Sequence, residues 1–157
     1  MAEKNISRIA SFEVDHDLIT EGIYVSRIDG DITTYDLRTR IPNADCYMDH
    51  ITMHSMEHMF ATYVRNSDIG KSVIYFGPMG CRTGFYLLVR GLDNATVLTE
   101  VKKVLSLISS HQGEMFGATR KECGNYRELS VESAKREAEN FLAVLNSREQ
   151  TFEYPKN

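Results

Sequence analysis

Residues 49–66, DHITMHSMEHMFATYVRN, decide how this chain is to be read. Asp49 is a capping residue, and Ile51, Met59, Phe60, Tyr63 and Val64 recur at helical spacing, so the stretch predicts a helix from about Asp49 to Asn66 pinned to a core. On such a helix His54 and His58 stand one turn apart, about 5–6 Å between Cβ atoms. Two imidazoles so placed can grip one metal ion, and Glu57 lies close enough to the same face to hold a proton or a water beside it. The same spacing also arises by chance on a half-exposed helix, so the rest of the chain must decide.

Upstream, Ile23–Arg27 and Ile32–Arg38 are rich in β-branched and aromatic residues and flank the turn signal Asp29-Gly30-Asp31, which predicts a hairpin. Residues 1–20 show no sustained period and read as an arm or short strand. Pro42 and Asn43 make a loop of the segment after Arg38. Downstream, Ser72–Phe76 and Phe85–Arg90 read as strands. The link Gly77-Pro78-Met79-Gly80-Cys81-Arg82-Thr83-Gly84 turns sharply enough to present Cys81 at the rim of a sheet. Asn94 is a candidate cap for a helix to about Ser110, with Val97, Leu98, Val101, Val104, Leu105 and Ile108 on its apolar side. Residues 111–128 are irregular, Ser130 caps a last helix to about Asn146, and the polar tail after Ser147 is expected to fray. Short links between strands imply antiparallel pairing, and amphipathic helices need one sheet face to cover. The expected fold is therefore α+β, a two-layer sandwich with an antiparallel sheet covered by helices on one face, in a single domain over residues 1–157.

A chain of 157 residues buries about two-thirds of its unfolded surface without staples, so a metal here would be catalytic rather than structural. With 42% hydrophobic and 25% charged residues, a net charge of -4 and no basic stripe, no nucleic-acid partner is expected. No apolar run approaches the ~20 residues that span a bilayer, so no membrane role is expected. The opening MAEKNISRIA lacks the apolar core of a signal peptide, and a cytoplasmic location is expected. Three widely spaced cysteines in such a chain read as free thiols or metal ligands.

Cys123, followed by Gly124, is the candidate third ligand; the alternative is a small buried hydrophobe. Two histidines, a thiolate and an open position suit one Zn, Fe(II) or Co per subunit. Cys46 has no motif around it and reads as structural. Cys81 is different: its loop exposes it, and Arg82 beside it could favour the reactive thiolate. A metal that polarises a carbonyl oxygen acidifies the adjacent C–H, and Glu57 and Cys81 could then move protons on opposite sides of a substrate. That points to enolisation. Hydrolysis stays open but gives Cys81 no task. A small inverted-zincin-type metallohydrolase remains an alternative because His-x-x-Glu-His marks those enzymes too, and so does a non-catalytic metal-binding module.

His54-x-x-Glu57-His58, the run Gly77 to Tyr86, Cys123-Gly124, Ser11-Phe12-x-Val14-Asp15-His16 and Asp36-Leu37-Arg38-x-x-x-Pro42-Asn43 together resemble the S-ribosylhomocysteine lyase (LuxS) family, in order and spacing, from about residue 11 to 146. The resemblance implies a homodimer with active sites at the subunit interface, and a metal, natively Fe(II), on His54, His58 and Cys123. It implies a small-molecule substrate, S-ribosylhomocysteine, cleaved to homocysteine and 4,5-dihydroxy-2,3-pentanedione, the autoinducer-2 precursor, by carbonyl migration and β-elimination. Glu57 and Cys81 match the family's acid/base residues. Ser11, His16 and Arg38 match positions lining the ribose part of the pocket, some from the partner subunit, and Arg65 one near the homocysteine end. Two departures stand out: Tyr75-Phe76-Gly77 replaces the family's frequent Asp-Ile-Ser, and Arg40 replaces a frequent cysteine.

Overall fold

The computed structural model describes residues 5–157, so Met1–Lys4 of the expected arm lie outside the described residues. Its elements are α1 (Ala10–Glu13), β1 (Gly22–Asp29), β2 (Ile32–Arg38), α2 (His50–Arg65), β3 (Val73–Pro78), β4 (Gly84–Arg90), α3 (Asn94–Ser109) and α4 (Val131–Ser147), with a 3₁₀ turn at Gly70–Ser72. The four strands form one antiparallel sheet in the order β1-β2-β4-β3. Gly30, at φ 62°, makes the β1–β2 turn where a side chain would be strained.

Strand alternation sets the layers. Tyr35 and Leu37 of β2, with Phe85, Leu87 and Val89 of β4, are buried in the same core cluster as Met56, Met59 and Phe60 of α2, Val101 and Leu105 of α3 and Phe141 of α4. Helices therefore cover one face, and the fold is the expected α+β two-layer sandwich. Aromatic stacking joins the layers: the Phe60 and Phe76 rings lie 4.2 Å apart and those of Phe76 and Phe85 5.0 Å apart.

Local capping matches the sequence at α2, where the Asp49 carboxylate accepts from the Thr52 N–H at 2.6 Å, and at α4, where the Ser130 hydroxyl accepts from the Ser133 N–H at 3.2 Å. At α3 the cap is Asp93, one residue earlier than expected. It accepts from the Thr96 N–H at 2.7 Å and frees Asn94 to accept from the Tyr35 hydroxyl at 2.6 Å. Ile51 was expected on the apolar side of α2 but is 41% exposed, because Met56, Met59, Phe60 and Val64 already fill the buried stripe.

Two expectations are corrected. The first arm contains one helical turn rather than a strand. The tail after α4 does not fray. The Phe152 carbonyl accepts from the Val25 N–H at 2.9 Å, the Phe152 ring meets Tyr35 edge-on at 6.3 Å, and Tyr154 stacks on Tyr24 at 4.9 Å. Two aromatics thus anchor a stretch whose composition is otherwise polar.

Phe76→Ala should lower stability by about 3–5 kcal/mol, because it removes the middle ring of the stack and leaves a cavity between the layers. A urea unfolding midpoint lowered with little change in slope would register it.

Candidate active site

The site begins on α2. Its apolar stripe turns inward, which leaves His54, Glu57 and His58 half-buried at the edge of the helix layer. The two imidazoles lie with ring centroids 4.6 Å apart and nearly perpendicular. Each is fixed from behind by a carbonyl of the irregular segment after α3. His54 Nδ1 lies 3.0 Å from the Glu128 oxygen and His58 Nδ1 2.8 Å from the Phe116 oxygen. A carbonyl can only accept, so each Nδ1 carries the proton and each Nε2 keeps its lone pair free. Gly117 follows at φ 65°; a Cβ there would stand 3.2 Å from His58 Nδ1. The backbone therefore passes close behind the ring.

The same segment delivers Cys123. Its Sγ lies 3.4 Å from His54 Nε2 and accepts from the Asn125 N–H at 3.4 Å. One ligand atom from each of His54, His58 and Cys123 falls within 4.8 Å of the others. Two donors around a tetrahedral ion, one nitrogen at ~2.0 Å and one sulfur at ~2.3 Å, would stand about 3.5 Å apart, so the donor set fits a divalent metal. The segment is stitched to α2 once more where the buried Ser55 hydroxyl accepts from the Ser130 N–H at 2.8 Å. Glu57 shares a hollow of about 290 Å³ with His54, Pro78, Asn125 and Glu128.

A second hollow, of about 320 Å³, opens on the opposite face of the sheet and is lined by Ser11, His16, Arg38, Cys81, Tyr86 and Tyr154, among others. Its floor is a buried ion pair. Asp36 is fully buried and Arg38 3% exposed; Nε and Nη2 of Arg38 donate to the two carboxylate oxygens at 3.1 and 2.6 Å. Nη1 of Arg38 donates to the Thr83 hydroxyl at 2.7 Å and lies 4.0 Å from Cys81 Sγ, while Thr83 Oγ1 and Cys81 Sγ are 3.0 Å apart. Burial opposes the charge of Arg38, but Asp36, with smaller contributions from Cys81 and Tyr154, outweighs it and holds the guanidinium pKa above its ordinary value. Burial, with Asp36 beside them, raises the phenols of Tyr86 and Tyr154. Both stay protonated through neutral pH. Pro78 is the one residue lining both hollows among those described.

A family model described as S-ribosylhomocysteinase (LuxS) matches residues 9–152. The chain belongs to the LuxS family. Among its curated relatives, each called S-ribosylhomocysteine lyase, the protein of Clostridium beijerinckii is 41% identical over 96% of this chain and 99% of its own length. That of Finegoldia magna is 39% identical over 96% of this chain and all of its own length, and that of Borreliella afzelii is 38% identical with the same coverage.

Within one LuxS-family chain, the structure brings His54, His58 and Cys123 together with Glu57 nearby, and separately gathers Ser11, His16, Arg38 and Cys81. It does not bring Glu57 and Cys81 into one hollow. Arg65 lies at the last turn of α2, about 10 Å along the axis from His58, and donates to the Ile74 carbonyl at 3.1 Å. Arg82 corrects the sequence reading. At φ 61° its side chain turns away from Cys81, donates to the Met48 carbonyl at 3.2 Å and lies over the Tyr47 ring. The cation beside Cys81 is Arg38. Cys46, read as structural, is exposed, with Sγ 3.3 Å from Arg40 Nη1. Arg40 itself is held by Glu137 of α4 at 2.5 Å and so ties the loop to the helix layer.

Sequence reasoning quoted Asp36 and Thr83 within motifs but gave them no role, and it missed Tyr154. The first had a signal, since residues 36 and 38 of a strand share a face and carry opposite charges. Asp36→Asn should cost about 3–5 kcal/mol, because Arg38 would remain charged and buried without its carboxylate. Chemical unfolding of the variant beside the parent chain tests this.

Proposed function

We infer that this chain is an S-ribosylhomocysteine lyase, a carbon–sulfur lyase that splits S-ribosylhomocysteine into homocysteine and 4,5-dihydroxy-2,3-pentanedione. The observation that carries the reading is the meeting of two carbonyl-anchored imidazoles with a thiol 69 residues away, in a chain of this family. The peptidase and non-catalytic readings have no comparable support, since the relatives named above are lyases over nearly the whole chain.

The substrate's sulfur leaves from C5 of the ribose, so elimination needs a carbonyl at C3 and a proton removed from C4. The open-chain sugar begins with its carbonyl at C1. Two successive shifts must therefore carry it inward, each by taking a proton from one carbon and returning one to its neighbour. His54, His58 and Cys123 hold one divalent ion per subunit, Fe(II) as the family implies, with Zn or Co compatible with the same donors. When bound, that ion supplies a Lewis acid that acidifies the C–H beside a carbonyl. Glu57 and Cys81 take and return the protons, and one of them protonates the departing homocysteine sulfur. Arg38 stands beside the Cys81 sulfur and, with Ser11 and His16, binds the sugar hydroxyls; Arg65 serves the amino-acid end.

Glu57 and Cys81 can act on one sugar only if their hollows face each other. In one chain those hollows lie on opposite sides of the sheet, which supports a symmetric homodimer in which Cys81 of one subunit completes the site of the other. The apolar arm residues Ile6, Ile9 and Phe12 are 95, 57 and 65% exposed and give such an interface material. The enzyme is expected in the cytoplasm.

Freshly Fe(II)-loaded protein, kept anaerobic, should release thiol from S-ribosylhomocysteine; no release removes the lyase reading. Cys123→Ala should strip the metal, while Cys81→Ala and Glu57→Ala should keep it and lose about 10²-fold or more in turnover, as metal analysis beside the thiol assay would show. Exchanging subunits between the two inactive variants should restore roughly one quarter of parental activity, since half the dimers are hybrids with one intact site. No recovery after verified exchange would place both residues in the same chain's site.

A further inference from the structure

We propose that Tyr154 is a positioning residue for the Cys81 thiol, acting through Asp36 and Arg38. The inference rests on the reading of Cys81 as a proton carrier. The Tyr154 hydroxyl donates to Asp36 Oδ2 at 2.7 Å, and the same oxygen accepts from Arg38 Nη2 at 2.6 Å. Asp36 is fully buried, so no solvent can replace a lost donor without entering the sheet's back face. A bidentate pair makes carboxylate and guanidinium move as one plate. If the carboxylate rotates, Arg38 Nη1 leaves the Thr83 hydroxyl at 2.7 Å and the Cys81 sulfur at 4.0 Å. The phenol is the third fixed point that stops that rotation.

Holding the tail does not require this bond. The Phe152 carbonyl on Val25 and the Tyr154 ring on Tyr24 already do so. The hydroxyl reaches past the stack to a charged pair at the floor of the Cys81 hollow, and Tyr154 also lines that hollow. The other groups facing Cys81 are few. Arg38 comes from β2, Thr83 from its own loop, Tyr86 from β4 and His16 from the first arm, while Arg82 points away. Of these, Arg38 supplies the fixed positive charge, and it also holds the Thr83 hydroxyl that lies 3.0 Å from the Cys81 sulfur, so its placement sets the surroundings of the thiol.

The test is Tyr154→Phe, which keeps the ring on Tyr24 and removes only the hydroxyl. Tyr24→Phe is the control, because that hydroxyl donates to the Thr20 carbonyl and not to Asp36. The rate of iodoacetamide labelling at one fixed pH, read at Cys81 by peptide mass spectrometry, needs neither substrate nor metal, so it stands apart from the lyase assay. Tyr154→Phe should slow the labelling of Cys81 about threefold or more. In the metal-loaded enzyme it should lower kcat about tenfold with KM within about twofold, and Tyr24→Phe should do neither. An unchanged Cys81 labelling rate in Tyr154→Phe overturns the proposal. So does an equal slowing in Tyr24→Phe, which would mark general loosening of the tail.

Discussion

The helical repeat of α2 is the constraint on which fold and site both depend. A period of 3.6 residues sends Met56, Met59, Phe60 and Val64 into the core and leaves His54, Glu57 and His58 at the edge of the same helix. The apolar stripe gives the helix its orientation, and orientation is what the imidazoles need. A polar cluster on a helix that could roll would not hold its geometry. Stacking of Phe60 on Phe76 prevents rolling, so a contact made for stability also aims the two histidines.

The irregular segment between α3 and α4 is organised by that helix rather than by a core of its own. Its carbonyls at Phe116 and Glu128 meet the two imidazoles, and the Ser130 N–H meets Ser55. Side-chain bonds to backbone, more than apolar packing, bring Cys123 to its place. The dependence runs both ways: the segment fixes the histidine tautomers, and the histidines fix the segment.

Legibility in the sequence followed the distance over which each signal acts. Helices α2 and α4 carry their caps and apolar stripes within a few residues, and were readable with their boundaries. So was the glycine-rich turn that exposes Cys81, because proline and glycine act locally. The cation serving Cys81 was misread for the complementary reason. Arg82 is next in sequence, but a left-handed backbone at that residue turns it toward Met48, and the strand register delivers Arg38 from far along the chain. Register is set by pairing of whole strands, which no short window contains. The tail was misread because its polar composition outweighed Phe152 and Tyr154, whose partners Val25, Tyr24 and Asp36 lie more than a hundred residues upstream.

The back face of the sheet shows why a charged pair can sit where apolar residues would be simpler. Replacing Asp36 and Arg38 by packed hydrophobes would remove two desolvation costs at once, so stability alone gives no reason to keep them. What the pair provides is a cation whose orientation is held by a carboxylate, a hydroxyl and a strand, beside a thiol that must lose and regain a proton on the proposed reading. A mobile lysine would supply the charge without the angle, because its ammonium is a point charge on a flexible stem. Burial, the bidentate contact and the neighbouring phenol all restrict the same degree of freedom, the rotation of one guanidinium plane.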